Sequence, residues 1–316
     1  MSEAAKNAKR AIWAVSKVVD MIIVIVFILL ISIGCFAIWD ADKVHSAADA
    51  SHYEIYKPTA ENQGKTFEEL QAINPEVFAW LTVYGTHIDY PVVQGQSNMK
   101  YINTNAEGRY SISGAIFLDY TCSDDFSDFS SILYGHHMEK NAMFGEIGNF
   151  VERSYFDARK YGMLYYSGEE HGLEFFAFVH ADAYDRAVFR TRITDPLKQQ
   201  EYLDMLLEIA ILTRDIGVTI DDRLVLLATC SSVSTNGRDI LVGRITDNLF
   251  EDPFYEEPAE NDREIFIVDA LGGWFAKIPL EMKIIMIAVL VILLILLLPL
   301  LIRKRKSKRV KHERTG

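Results

Sequence analysis

The sequence is poor in cysteine and in positive charge. It has three Cys among 316 residues, and so low and odd a count excludes a fold built on a disulfide framework. Lys and Arg number 32 against 44 Asp and Glu, a net charge of −12, which argues against a nucleic-acid-binding surface. Half of the residues are hydrophobic, which is enough to build a sizeable core and excludes a disordered chain.

Motifs for nucleotides and metals are also missing. No Gly-rich phosphate loop follows a predicted strand, so nucleotide binding has no support. There is no HExxH or CxxC pattern to hold a metal ion, and the acidic segment 247–264 lacks the alternating Asp/Asn ligands and central Gly of a calcium loop. We therefore expect neither a metal nor a cofactor.

Two long uncharged runs stand out, residues 21–39 and 284–302. Each approaches the roughly 20 residues that a helix needs to cross the hydrocarbon core of a membrane. Four Lys/Arg precede the first run and eight follow the second. By the positive-inside rule, both termini lie in the cytoplasm and residues 40–283 lie outside the cell. We also expect the basic tail to attract anionic lipid.

The first run has two alternative interpretations. A signal peptide would end in a small-x-small cleavage site, which does not follow this long segment. A lipoprotein would use Cys35, but Ser32 at the first position of Ser32-Ile33-Gly34-Cys35 fits a lipobox poorly. We interpret the run as a membrane span and Cys35 as a buried apolar residue.

Between the spans the texture changes at residue 74. The segment 40–73 is polar and helix-like, with a helix expected from Asp40 toward Tyr56 and a stop at Pro58. Short β-branched and aromatic runs then alternate with turn residues. The strand candidates are 77–83, 87–93, 114–118, 131–134, 173–180, 224–229 and 239–245.

One helix is predicted among these strands. Asp195-Pro196 supplies an N-cap and an N1 proline, and apolar residues follow at helical spacing as far as Ile211. The fold class is therefore mainly β: a closed barrel of about eight strands with N-terminal helices and one inserted helix. The expected order is a cytoplasmic N-terminus (1–20), a span (21–39), a helical segment (40–73), the barrel (74–246), an acidic stalk (247–283), a span (284–302) and a cytoplasmic tail (303–316).

Cysteine and histidine each close a predicted strand. Cys230 ends the apolar strand 224–229, and His136 and His137 follow strand 131–134. A thiol nucleophile needs an imidazole as base and then as acid. A turn and strand beyond the cysteine would return Arg238 beside Cys230, where a cation can stabilise an oxyanion. Arg244 is the alternative cation, but it lies about 20 Å further along an extended strand. A bland interpretation keeps the cysteine as packing and the charged residues at the surface.

At these residues the sequence resembles the sortases, and in particular class B. Leu227-Ala228-Thr229-Cys230 is similar to the family's nucleophile motif and Tyr134-Gly135-His136-His137-Met138 to its histidine motif. Gly237-Arg238-Asp239-Ile240-Leu241-Val242 is similar to its arginine strand. Further similar motifs occur in the same order, among them Asn74–Trp80, Ile88–Gln94, Ser113–Asp119 and Met143–Gly145, and the resemblance covers roughly residues 40–246.

The resemblance implies a sortase-like barrel and a role for each residue. Cys230 becomes the nucleophile, His136 the acid/base and Arg238 the oxyanion or substrate arginine, while His137 becomes a bystander. The helix near 196–212 corresponds to one that helps to form the substrate groove. The groove residues implied are Asn98 and Ile102 with Thr229, and the backbone N–H of Ser231 becomes a second oxyanion donor.

The implied reaction is transpeptidation. Cys230 would cleave the C-terminal sorting signal of a secreted protein at a Thr carbonyl and form a thioester, which an amine of a cell-wall precursor or of a pilin lysine would resolve. A C-terminal span is more typical of pilin-polymerising class C enzymes, but the Asp-Pro-aromatic lid element of that class is absent from 40–73.

Several alternatives remain. One is a thiol hydrolase that does not join, and another is a catalytically silent pilus-assembly scaffold or surface receptor. Cys122 could also pair with Cys230 in an oxidising exterior.

Overall fold

The computed structural model describes residues 3–59, 65–230 and 236–255. Of these, the residues through Cys35 form one unit and Phe36–Tyr255 form a second. The predicted second span (284–302), the basic tail and most of the stalk lie outside the described residues.

Helix α1, Glu3–Ala48, contains the N-terminal apolar run. By length and composition, its segment Val15–Ala37 qualifies to cross a membrane: it has 23 residues and a mean hydropathy of 3.0. No other helix in the described ranges meets that test. A segment of this kind near an N-terminus serves as a membrane anchor or as a signal sequence.

The predicted start of a new helix at Asp40 is wrong, because α1 continues through Ala48. An Asp within a helix costs only a fraction of a kcal/mol in propensity, so it does not by itself mark a boundary. Beyond α1, two 3₁₀ turns, Ala50–His52 and Glu54–Tyr56, bring the helical structure to its end two residues before Pro58. Helix α2, Lys65–Ile73, follows.

Nine strands make up the rest of the second unit with two further helices. In chain order the strands are β1 (Val77–Val83), β2 (Asp89–Val93), β3 (Ile116–Leu118), β4 (Ser130–Tyr134), β5 (Tyr161–Tyr166), β6 (Glu169–Asp182), β7 (Ala210–Thr213), β8 (Arg223–Cys230) and β9 (Gly237–Thr246). The helices are α3 (Arg153–Ala158) and α4 (Pro196–Ile209). All seven predicted strands are present, whereas β5 and β7 were not predicted.

The sheet closes into a barrel. The strand order is β5-β1-β2-β3-β4-β8-β9-β6, and β5 pairs with β6 to close a ring of eight strands. β7 adds to the free part of β6 outside the ring. The β2–β3 and β4–β8 pairs are parallel and the others are antiparallel. The prediction of a mainly β, closed barrel is confirmed.

Two apolar clusters sandwich the central strand β8. Alternate residues point to opposite faces of a strand, so Val225 and Leu227 pack in one cluster while Leu226 and Ala228 pack in the other. Burial on both faces explains why this strand reads as a continuous apolar run. The rigid strand fixes the position of the residues at its end.

Helix α4 covers the second cluster. Asp195 caps it, with its carboxylate accepting a hydrogen bond from the Leu197 N–H at 2.9 Å, and Pro196 occupies the first turn. Tyr202, Leu203 and Leu206 are buried beneath it. The prediction that the helix continues through Ile211 is wrong. The chain passes from α4 directly into β7 without a Gly or Pro, and apolar residues alone did not mark that change.

The described part of the predicted stalk, residues 247–255, is mostly exposed but contacts the barrel. The ring of Phe250 stacks on Tyr161 with centroids 4.0 Å apart. Phe254 lies over Gly85 and 5.0 Å from the Arg159 guanidinium. The chain therefore leaves β9 along the barrel surface for at least these residues.

Candidate active site

The ends of β4 and β8 bring the predicted histidine and cysteine to one edge of the sheet. These strands are parallel, and Tyr134 lies opposite Ala228 in their register. The Gly135 N–H donates to the Ala228 carbonyl at 3.2 Å. His136 and Cys230 each come two residues after that pair, so their backbones reach the same level of the sheet edge. This is the juxtaposition that the sequence predicted.

Strand β9 adds the arginine. In the antiparallel β8–β9 register, Cys230 lies directly opposite Arg238. Opposite residues of such a pair share a face, with Cβ atoms about 5 Å apart. The predicted return of Arg238 to a position beside Cys230 is therefore present in the backbone. Ser231 lies outside the described residues.

The two arginines of β9 have different surroundings. Arg244 donates two hydrogen bonds to Glu174, at 3.0 and 2.7 Å, and lies 3.6 Å from Asp222. Arg238 is half-buried and donates to the Gly237 carbonyl at 3.0 Å, and no carboxylate of the described residues pairs with it. Arg238 therefore presents a cation whose charge is not already neutralised, whereas Arg244 stabilises the barrel.

A cleft of about 490 Å³ lies at this edge. Of the predicted groove residues, Asn98, Ile102 and Thr229 line it, together with His136 and Arg238. Its remaining walls are mostly apolar, and their residues were not predicted: Met99, Phe117, Tyr134, Gly135, Ala183, Phe189 and Ala228. An apolar cleft with a few convergent polar groups is typical of a binding site.

His136 is held by a backbone carbonyl. Its Nε2 lies 2.8 Å from the Ile102 oxygen, and the ring is half-buried. Because a carbonyl oxygen only accepts hydrogen bonds, Nε2 must carry the proton of this bond. His137 is exposed and its backbone bridges to Met143. The ring that borders the cleft is thus the one that the sequence favoured.

Asn98 is fixed by a buried carboxylate. Its amide nitrogen donates to Asp119 Oδ2 at 2.7 Å, and its amide oxygen accepts from the Tyr120 N–H at 2.9 Å. The Tyr134 hydroxyl donates to the same Asp119 oxygen at 3.3 Å, and burial, followed by the Asp119 charge, raises the pKa of Tyr134 far above its usual range. Asp119 ends one of the family-like motifs, but nothing in the sequence indicated that it orients Asn98.

Two groups near the site have no catalytic arrangement. Cys122 is a free, buried thiol, so the alternative pairing with Cys230 is not present. Burial raises the pKa of Cys122 to about 12, which keeps it protonated and unreactive. Within residues 3–59, 65–230 and 236–255, no group of three His, Cys, Asp or Glu is placed to hold a metal ion.

Comparisons with known proteins agree on one family. No family model matches the chain. The curated sortase B of Staphylococcus aureus is 29% identical over 181 residues, which are 57% of this chain and 74% of that protein. The solved sortase B from the type II pilus of Streptococcus pneumoniae is 44% identical, covering 58% of this chain and 99% of that one, with a TM-score of 0.51.

A complex provides a third comparison. The structure of S. aureus sortase B with a substrate is 26% identical to this chain, with a TM-score of 0.59, and the match covers 65% of this chain and 98% of that one. The shared region is the barrel with its strand-end cleft. Together with the predicted motifs and their convergence at that cleft, the similarity shows that the chain belongs to the class B sortases and is a cysteine transpeptidase.

Proposed function

We propose that Cys230 is the nucleophile of this transpeptidase, His136 its acid/base and Arg238 its oxyanion-stabilising cation. The observation that carries this assignment is the register: Cys230 opposite Arg238, with His136 at the same sheet edge. His137 and Arg244 are the competing residues of the same types. Their exposure and ion pairs, respectively, argue against them.

The reaction proceeds in two balanced steps. The Cys230 thiolate attacks a threonine carbonyl of the sorting signal, the C–N bond breaks, and His136 gives a proton to the departing amine. An incoming amine then attacks the thioester, its proton passes to His136, and the thiolate leaves. Arg238 and the backbone N–H of Ser231 stabilise the oxyanion in each step.

The cleft binds the sorting signal. Asn98, Ile102 and Thr229 line it, and its apolar walls suit the side chains of an extended peptide. Asn98 has one N–H left after its bond to Asp119, because an amide nitrogen has two donors. That remaining donor is available to a peptide carbonyl.

The acceptor is an amine of the cell-wall precursor or of a pilin. One relative comes from a type II pilus of S. pneumoniae, and S. aureus sortase B has been solved in complex with triglycine. The two relatives therefore support different acceptors, a pilin lysine and a glycine amine. A matched pair of acceptors distinguishes them.

The enzyme is held in the membrane with the barrel outside the cell. The Val15–Ala37 helix supports the first span, 21–39. The uncharged run 284–302 and the basic flanks support a second span with both termini, 1–20 and 303–316, in the cytoplasm. In this arrangement 40–73, the barrel 74–246 and the stalk 247–283 face the exterior, and the basic tail contacts anionic lipid.

The test uses the full chain in lipid nanodiscs. Sorting-signal peptides are incubated with triglycine, with a lysine-containing pilin peptide, or with no amine, and product masses are measured beside Cys230→Ala. Joined product that requires Cys230 supports the proposal and names the acceptor. Cleavage without joining to any amine would instead support a hydrolase. Peptide binding without cleavage, unchanged in Cys230→Ala, would support the silent scaffold.

A further inference from the structure

The segment Asn98–Ile102 has two functions at once. Its side chains Asn98, Met99 and Ile102 line the cleft, and its last carbonyl holds the imidazole of His136. The segment ends in a 3₁₀ turn, Lys100–Ile102. One short piece of backbone therefore contacts both the peptide site and the acid/base.

We propose that the Ile102 carbonyl is the positioning group of His136, that Gly114 fixes this carbonyl in place, and that Nδ1 is consequently the nitrogen that exchanges protons with the thiol and the leaving amine. The clause on proton exchange rests on the function proposed above for His136. The clauses on Ile102 and Gly114 stand on the resting geometry alone.

The hydrogen bond selects one tautomer. The carbonyl can accept only a proton carried by Nε2, and it accepts that proton equally from the neutral ring and from the imidazolium. Nδ1 makes no hydrogen bond with any part of the chain that the structure describes. The bond to Ile102 therefore persists through proton transfer, while Nδ1 alternates between a lone pair and a proton. This arrangement keeps the ring in one orientation during both chemical steps.

Gly114 holds the carbonyl from below. Its φ is +61°, in the left-handed region that glycine adopts without a steric penalty. A Cβ at this position would overlap the carbonyl oxygen of Tyr101 and lie 2.7 Å from that of Ile102. The next residue, Ala115, donates its N–H to the Tyr101 carbonyl at 3.1 Å. Any larger residue would have to displace the turn that carries the Ile102 carbonyl.

Gly108 provides a matched control in the same loop. Its φ is +80°, so a side chain there meets the same kind of backbone strain. The nearest atom to its Cβ would be Asn74 Cγ, 4.0 Å away, and the site touches neither Tyr101 nor Ile102. Substitution of Gly108 therefore reproduces the strain without moving the carbonyl.

The experiment compares Gly114→Ala and Gly108→Ala in the full chain in nanodiscs. Histidines are labelled with ¹⁵N, and the His136 signal is assigned by its loss in His136→Gln. Single-turnover acylation is measured across peptide concentrations to separate the maximal rate from peptide binding. Gly114→Asn and Gly108→Asn repeat the comparison with a residue that tolerates left-handed backbone, in case the alanine variant does not fold.

We expect the neutral His136 ring of the unsubstituted protein to carry its proton on Nε2. Gly114 variants should change this signal and lower the maximal acylation rate by about 10- to 100-fold, because misplacing a reacting group by about 1 Å has an effect of that size. Gly108 variants should change neither.

Three results would overturn the inference. A neutral ring protonated on Nδ1 in the unsubstituted protein would contradict the Ile102 bond. An equal loss of acylation in the Gly108 and Gly114 variants would reduce Gly114 to general loop stability. A loss confined to peptide binding would contradict positioning of the ring. Full acylation by His136→Gln would instead refute the proposed function, whichever tautomer is found.

Discussion

The two arginines of β9 allow catalysis and stability to be separated on one strand. Arg238 lines the cleft opposite Cys230 and has no carboxylate partner among the described residues, whereas Arg244 is bound to Glu174. If the proposed roles hold, alanine at each position should have a different consequence. Arg238→Ala should lower the acylation rate, and Arg244→Ala should lower the thermal stability.

The expected magnitude at Arg238 follows from its task. Removing one donor to a developing oxyanion costs about 10²- to 10³-fold in rate, or roughly 3–4 kcal/mol of transition-state stabilisation. The side chain is half-buried and its one hydrogen bond, to Gly237, is to its immediate neighbour. The melting temperature of Arg238→Ala should therefore stay near that of the unsubstituted protein.

The expected magnitude at Arg244 follows from its ion pair. The side chain is 24% exposed and that of Glu174 is 16% exposed, so the pair is shielded from solvent more than a surface salt bridge. Hydrogen bonds to charged groups contribute about 1.5–3 kcal/mol. For a unit of this size, about 2 kcal/mol corresponds to a fall of roughly 4–8 °C in melting temperature.

Both variants are assayed as the full chain in nanodiscs, by single-turnover acylation and by a thermal unfolding scan. Acylation by Arg238→Ala within about threefold of the unsubstituted rate would refute its catalytic role, since the expected loss is at least about 10²-fold. Loss of acylation by Arg244→Ala at a temperature where it is folded would show that the wrong arginine was chosen.

Two further predictions concern the remaining reactive side chains. His136→Gln should lower the acylation rate by about 10²- to 10⁴-fold, the range for general acid–base catalysis, whereas His137→Gln should acylate normally because its ring is exposed; equal losses would mean that the wrong imidazole was assigned. Iodoacetamide at pH 8 should alkylate Cys230 but not Cys122, whose burial raises the pKa to about 12 and keeps the thiol protonated. Peptide mapping measures both sites, and rapid labelling of Cys122 in folded protein would contradict its burial.

Much of the barrel and of the candidate site was predictable from local patterns. Strand β8 is buried on both faces, so it appears in the sequence as an uninterrupted apolar run that ends at Cys230. Asp195-Pro196 marks the start of α4 because capping chemistry depends on residues that are adjacent in sequence. The convergence of His136 with Cys230 required only that two strands end at one edge.

The features that were missed depend on tertiary structure. β7 follows α4 without a turn residue, and its pairing with β6 decides that Ala210–Thr213 is extended. The bond between His136 and Ile102 joins residues 34 apart through a backbone carbonyl, which no side-chain identity encodes. Asp119 orients Asn98 across 21 residues in the same way.

The most direct test of the central claim is the location of the acyl group. Full chain in nanodiscs is incubated with a sorting-signal peptide without amine, quenched in acid, digested and mapped by mass spectrometry, with Cys230→Ala and Cys122→Ala in parallel. The account predicts a thioester on the peptide that contains Cys230, present in Cys122→Ala, absent in Cys230→Ala, and released on addition of an amine. Cleaved peptide in the Cys230→Ala sample, or an acyl group on any other residue, would contradict it.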